Sequence, residues 1–300
     1  MNTPQPSSSL APIAAPAPWS SIDPTSLDVR LVVCDMDGTL LTPDGALPDG
    51  FTRMRATLHE RGIAFVPASG RQLATLARMF EQDDSFVADN GSLVVHEGRV
   101  LATSLVERDV VRHVVEIARA STTADLGLVV CGVRTAYVER TDAPFMAEVG
   151  KYYASLEVVE DLALVADDVL KVAIFDFDDA EPVAATLLCD VARTHQVVVS
   201  SKHWIDVMHP GANKGVGVRA LQDALGVGPA QTVAFGDYLN DLELLDAAEL
   251  SFAMADAHPE VRTRARYVAP SNADDGVLRV LEHLVGSPVA RAGVRTTLDG

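Results

Sequence analysis

Val29-Arg30-Leu31-Val32-Val33-Cys34-Asp35-Met36-Asp37-Gly38-Thr39-Leu40 is the stretch on which the fold turns. Val29 to Cys34 is nearly all apolar, and a short apolar run of this kind reads as a strand buried on both faces of a parallel sheet. It ends on two carboxylates two residues apart, with Gly38 free to make the tight turn that aims both into one pocket. Working outward, the pattern recurs. Phe51, Met54 and Leu58 give Pro48 to Arg61 helical spacing, and Gly62 stops it. Ile63 to Ala68 is a second buried strand, ending at Ser69-Gly70-Arg71. Leu73 to Phe80 is helix-like, and Phe86 to Ala88 leads to the Asp89-Asn90-Gly91 turn. This alternation predicts an α/β fold with a Rossmann-like, doubly wound parallel sheet, its reactive residues at the strand carboxyl ends.

After Gly91 the texture changes. Leu93 to Val95 and Val100-Leu101 flank a hairpin signal, His96-Glu97-Gly98-Arg99. Helices near 105–120 and 181–193 are interleaved with strand candidates at 127–131, 135–139, 170–175, 196–200 and 204–208. From Lys214 the earlier rhythm returns, with helices at 214–225 and 239–247 and strands at 232–235 and 250–254. The expected organisation is a core of 27–91 and 209–286, interrupted by an α+β cap of 92–208, between flexible tails of 1–26 and 287–300. No internal repeat is present.

The formal net charge of -18 sets the electrostatic frame. Such a surface repels nucleic acid and anionic lipid, so neither is an expected partner. An enzyme of phosphorylated anions would need a local cation to reverse the sign at its site. Three cysteines, Cys34, Cys131 and Cys189, spaced far apart, predict buried thiols in a reducing compartment. The Pro-broken first twenty residues carry no Lys or Arg, unlike a secretory signal, and no run is apolar for long enough to span a bilayer. A cytoplasmic protein is the expectation.

Asp35 and Asp37 suit a division of labour between a nucleophile, which forms an acyl-phosphate, and a nearby acid/base, which protonates the leaving oxygen and then activates water. Gly236-Asp237-Tyr238-Leu239-Asn240-Asp241 again puts acids where an apolar strand opens into a helix. Asp35 and Asp237 together supply the one or two carboxylates that Mg²⁺ takes beside waters and phosphate oxygens. Ser69-Gly70 offers a hydroxyl and an amide at a helix start. Lys214, in Gly211-Ala212-Asn213-Lys214-Gly215, supplies the required cation. Each segment alone also fits a bland role as turn or N-cap; their conjunction does not.

In this order the segments resemble the haloacid dehalogenase (HAD) superfamily of phosphatases, specifically its Cof-type, subfamily IIB branch, over roughly residues 29 to 285. The resemblance rests on 35–40, Ala-Ser-Gly-Arg at 68–71, Asp-Asn-Gly at 89–91, Lys214-Gly215 and 236–241. It implies an inserted cap of the C2B type and an aspartyl-phosphate mechanism. Asp35 would be nucleophile and metal ligand, Asp37 acid/base and carbonyl ligand, and Asp237 the remaining Mg²⁺ ligand. Ser69, Gly70, Lys214 and Asn240 would hold the phosphoryl group, supported by Arg71, Asn90 and Asp241. Ala255 and Asp256 depart from the family's Met-Gly-Asn-Ala segment, while Asn272 to Val277 resembles its Asn-x-Asp-Gly-Val element.

The implied activity is phosphatase action on a small phosphorylated metabolite, such as a sugar phosphate or a cofactor- or nucleotide-like monoester, by a monomer or homodimer. A phosphosugar mutase on the same core and a catalytically idle binding module are the alternatives. His203, His209 and the acids Asp176, Asp178 and Asp179 take surface, packing or turn roles in this reading.

Overall fold

The computed structural model of the protein describes residues 16–80 and 84–286. Six parallel strands form the central sheet, in the spatial order Ala17–Pro18, Tyr267–Ala269, Leu250–Met254, Thr232–Gly236, Leu31–Cys34 and Ala64–Pro67. Leu31, Val32, Val33 and Cys34 are wholly buried. Each large apolar side chain among them stabilises the fold by about 1.5–3 kcal/mol.

Register positions the site. Cys34 lies opposite Phe235 on one side and Pro67 on the other. Asp35, Gly236-Asp237 and Ala68-Ser69 therefore leave the sheet side by side at one end. Here the chain order reverses, since the neighbours of Leu31–Cys34 are the next strand in sequence and one from far downstream. Sheets of this type open their ligand crevice at such a switch point.

Two expectations are corrected. Phe86–Ala88 touches the central sheet only through a bridge between Ala68 and Val87, and pairs instead with Leu93–His96 in a three-stranded antiparallel sheet completed by Arg99–Thr103. That hairpin, which texture assigns to the insert, packs on the core, with Leu93, Val94 and Val95 buried beside Val87, Val218 and Leu221. Gly217 permits the approach, because a Cβ there would lie 2.7 Å from Val87.

The chain passes between the two bodies twice. Ser104 donates its N–H to Ser92 in the hairpin while Val106 donates to Val169 in the second sheet, so the outward passage is Leu105. The return runs through His209 to Asn213, where the Gln196 side-chain amide donates to the carbonyls of His209, Pro210 and Ala212. Next to Gln196, His195 meets Glu107 at 2.7 Å, which ties the two passages together.

The inserted body is a six-stranded sheet in the order Gln196–Val199, Trp204–Met208, Val169–Asp176, Leu126–Gly132, Ala136–Val138 and Leu156–Val158, antiparallel except for the last pair. Alternation along Val169–Asp176 sends Val172 and Ile174 to one face, in an apolar cluster that includes Val111, Val114 and Val115 of helix Arg108–Ala120 and Ala180 and Val183 of helix Ala180–Thr186. Ala173 and Phe175 go to the other face, with Trp204 and with Phe145 and Val149 of helix Ala143–Tyr152. The helix expected over 181–193 instead ends at Thr186, followed by a 3-10 turn at Val191–Arg193.

Residues 16–26, expected to be part of a flexible tail, are corrected as well. Ala17–Pro18 adds an edge strand beside Tyr267–Val268, His283 donates to the Ile22 carbonyl at 2.8 Å, and Trp19 packs edge-on against the His283 ring. Residues 1–15 and 287–300 lie outside the described residues. Cys34 and Cys131 are buried as expected, but Cys189 is exposed. Among the described residues no helix is long and apolar enough to cross a membrane.

Candidate active site

Asp35 follows directly on its strand and is almost wholly buried. The turn after it depends on Gly38, whose φ of +82° lies in the left-handed region and whose added Cβ would sit 2.3 Å from Asp237 Oδ2. The two acidic loops are thus in contact. Carboxylate oxygens of Asp35, Asp237 and Asp241 all lie within 4.8 Å of one another.

Lys214, fully buried at the start of helix Lys214–Leu225, donates to Asp35 Oδ1 at 2.5 Å and to Asp241 Oδ1 at 2.6 Å. The other oxygen of Asp241 accepts the amides of Asp237 (3.0 Å) and Tyr238 (3.2 Å). Asp241 is thereby spent on holding Lys214 and the loop. Asp237 accepts from Thr39 Oγ1 at 3.1 Å.

Three carboxylates cluster around one ammonium, which bonds Asp35 and Asp241, and the excess charge appears in the titration of Asp35 and Asp237. Burial first, then the charge of Asp241, pushes Asp35 well above its ordinary value, although Lys214 opposes the shift. The same two causes push Asp237 up to about 6. For Lys214 burial acts downward, but Asp241 and Asp35 outweigh it and hold the ammonium above its ordinary value. An all-oxygen donor set short of positive charge suits a hard divalent cation, and Asp35 and Asp237 are the pair with oxygens left to give.

The neighbouring loops complete the floor. Ser69 Oγ accepts the Arg71 amide at 3.2 Å, and the Asn90 amide donates to the Ser69 carbonyl at 2.9 Å. Asn240 Nδ2 donates to Asn90 Oδ1 at 3.1 Å. Gly91, with φ +88°, seats this turn on the Lys214 helix, since a Cβ there would lie 2.1 Å from the Asn213 carbonyl. Arg71 grips Asp37 with both ends of its fork, Nε to Oδ2 at 2.8 Å and Nη2 to Oδ1 at 2.5 Å.

Asp35, Asp37, Ser69, Gly70, Arg71, Asn90, Asp237 and Asn240 all line one cavity of about 360 Å³. Lys214 and Asp241 stand immediately behind Asp35. Every site residue expected from the sequence therefore gathers in one place.

His203 and His209 do not line this cavity. His203 Nδ1 bonds the Asp176 carbonyl at 3.0 Å, and His209 Nδ1 accepts the Gly211 amide at 3.0 Å. Asp176 and Asp179 cap local turns. The departing segment at 253–257 is tethered nearby, with the His258 amide donating to the Asp237 carbonyl at 2.8 Å. Asn272 donates to the Leu41 carbonyl at 2.8 Å.

The opposite wall belongs to the inserted body, and sequence reasoning missed it: Tyr152, Trp204, Lys171 and Asp206. The available signal was a single charge in each of two otherwise apolar strands, Val-Leu-Lys-Val-Ala-Ile-Phe at 169–175 and Trp-Ile-Asp-Val-Met at 204–208.

Comparison with known proteins agrees with this geometry. A sequence model of the haloacid dehalogenase-like hydrolases matches residues 32–281. The chain is 31% identical over 265 residues to the 5-amino-6-(5-phospho-D-ribitylamino)uracil phosphatase YbjI of Escherichia coli, spanning 86% of this chain and 97% of that protein. It is 28% identical over 238 residues to the HMP-PP phosphatase of Cronobacter sakazakii, spanning 77% and 86%. The crystal structure of a haloacid dehalogenase-like hydrolase from Bacteroides thetaiotaomicron superimposes with a TM-score of 0.74 at 25% identity, covering 85% of this chain and 99% of that one. With the match running from the strand that ends at Asp35 into the last helix, the chain belongs to the haloacid dehalogenase-like hydrolases, as a phosphatase of that family.

Proposed function

We propose that the protein is a Mg²⁺-dependent phosphatase of small phosphorylated metabolites that works through an aspartyl-phosphate on Asp35. The observation that carries the reading is the meeting of Asp35, Asp237 and buried Lys214 within one charge-deficient cluster. Asp35 and Asp237 would hold the ion, which supplies neutralisation of the phosphoryl oxygens. Lys214 keeps the Asp35 carboxylate aimed, and Ser69, the Gly70 amide and Asn240 receive the remaining oxygens.

In the first half-reaction Asp35 attacks phosphorus while the P–O bond to the leaving group breaks and Asp37 gives that oxygen a proton. In the second, Asp37 takes a proton from water as the water attacks phosphorus, freeing Asp35 and inorganic phosphate. The Arg71 fork on both Asp37 oxygens matches the proton-accepting role of the second half-reaction. In the first, Asp37 must carry the proton it donates, on an oxygen that the fork has released. The inserted body, with its boundary moved past the hairpin to Leu105, acts as the cap over the substrate. Relatives named for a phosphorylated ribitylaminouracil and for HMP-PP support small phosphorylated metabolites as the substrate class.

The test is phosphate release from p-nitrophenyl phosphate and metabolite monoesters with Mg²⁺ present. Asp35→Asn should lower turnover at least about a thousandfold, excess chelator should silence the wild type, and an acid quench should leave a phosphoryl adduct on the Asp35 peptide. Activity in the variant or in chelator refutes the mechanism.

A further inference from the structure

The chemistry above uses one buried lysine and leaves a second unexplained. Lys171 sits inside Val169–Asp176, an interior strand of the second sheet in which every residue is buried. Its ammonium donates to the Gly70 carbonyl at 3.2 Å, with Asp89 Oδ1 at 3.4 Å and Asp206 Oδ1 at 3.6 Å. Charge-assisted N–H···O bonds normally close to about 2.7–2.9 Å. Both carboxylate contacts are therefore slack, unlike the two that hold Lys214.

Asp206 is 6% exposed and accepts no side-chain hydrogen bond among the described residues. Burying an ammonium and a carboxylate is costly unless partners compensate. A sheet that keeps both while leaving their contacts slack has capacity reserved for a ligand. Pairing of Ala173 with Asp206 and of Phe175 with Trp204 puts Lys171, Asp206 and Trp204 on one face of the sheet. All three line the catalytic cavity, Lys171 abutting the phosphoryl loop at Gly70 and Trp204 lying beside the Tyr152 ring, which it meets edge-on at 5.7 Å.

We propose that Lys171 and Asp206 determine specificity, selecting a phosphomonoester whose leaving group presents a neutral hydroxyl and rejecting one that presents a second anion. A hydroxyl both accepts and donates, so it satisfies the ammonium and the carboxylate at once. A carboxylate or second phosphate placed there adds to the two acids, Asp89 and Asp206, that already face one lysine. An amine suits Asp206 but faces the like charge of Lys171. Trp204 and Tyr152 offer a flat apolar surface for the carbon face of the leaving group. The inference rests on the phosphatase reading above.

The test uses the purified full chain with Mg²⁺ and three substrates: p-nitrophenyl phosphate, which carries no hydroxyl, sorbitol 6-phosphate, and 6-phosphogluconate, which differs from sorbitol 6-phosphate by a carboxylate in place of a terminal CH₂OH. Wild type should favour sorbitol 6-phosphate over 6-phosphogluconate by about tenfold or more in kcat/KM, the scale of one well-made polar contact. Lys171→Met and the isosteric Asp206→Asn should each lower the ratio of kcat/KM for sorbitol 6-phosphate over p-nitrophenyl phosphate by about tenfold, mainly through KM. Asp206→Asn should also narrow the gap to 6-phosphogluconate. Equal effects on both substrates, or none, in soluble Asp206→Asn overturn the proposal. Wild type that releases phosphate from none of the three substrates refutes the phosphatase reading instead.

Discussion

A single methyl group separates an intact acidic cluster from a disrupted one at Gly38. Its positive φ excludes ordinary residues, and Asp237 occupies the space a Cβ would need. Gly38→Ala should therefore push Asp237 away from Asp35 while leaving the core strands in place. The expected outcome is a kcat/KM loss of about a hundredfold and a higher Mg²⁺ concentration for half-activity, read from phosphate release in a metal titration. At this scale the sequence was informative wherever a reactive residue ended an apolar strand, as at Asp35, Ser69 and Asp237. It was silent at Lys171 and Asp206, because strand recognition absorbs an isolated charge into the apolar run and gives no hint of which face it takes.

Arg71 to Arg78 does two jobs within one short element. Arg71 fixes Asp37, and the next residue, Gln72, pairs both its amide groups with the backbone of Ser155 in the cap, at 3.0 and 3.1 Å. Thr75 and Arg78 add bonds to the carbonyls of Tyr152 and Ala154, each 2.9 Å. Under the proposed mechanism, the seating of the cap and the placement of Asp37 would thus be set by adjacent residues. Each such bond contributes about 1 kcal/mol. Gln72→Ala, losing two, should raise KM by roughly thirtyfold with a smaller effect on kcat, and steady-state kinetics on a metabolite monoester checks it.

The sequence pattern predicts a helix over 73–80 here, whereas the α-helix covers only Leu73–Leu76; beyond it Arg78 reaches the Ala154 carbonyl of the cap loop and Phe80 packs against the core rings of Phe51, Phe65 and Phe86, contacts invisible in local periodicity. Helix Ala143–Tyr152 went unread although Asp142 caps it and Pro144 opens it, a start signal present in the sequence.

Over the whole molecule the seam between core and cap is an electrostatic joint. Asp89, on the core side, faces Lys171 and Asp206 of the cap, and burial pushes its carboxyl from 3.8 up to about 6, Lys171 opposing and Asp206 adding. Because the folded value is raised, the associated stability is fully present below 3.8 and is lost as pH rises through about 6. A rise of that size is worth about 3 kcal/mol. Asp89→Asn, which stays neutral, should therefore gain on wild type as pH goes from 4 to 7, and thermal unfolding at both pH values measures the difference. The two-body division was legible from the change in texture after Gly91. The exact seam was not, because the hairpin resembles the insert in pattern and the core only in the partners it buries against.

Leu105 and the 209–213 segment, bound side by side through His195 and Gln196, act like the two pins of a door. Paired pins permit swinging about one line and forbid sliding. Displacement then grows with distance from that line, so Trp204 and Tyr152 would sweep through a wide arc while the neighbourhood of Val106 barely stirs. In the proposed phosphatase, substrate and product would pass by that arc, and a crosslink across the pins would leave the swing nearly untouched, whereas one joining Tyr152 to the core would arrest it.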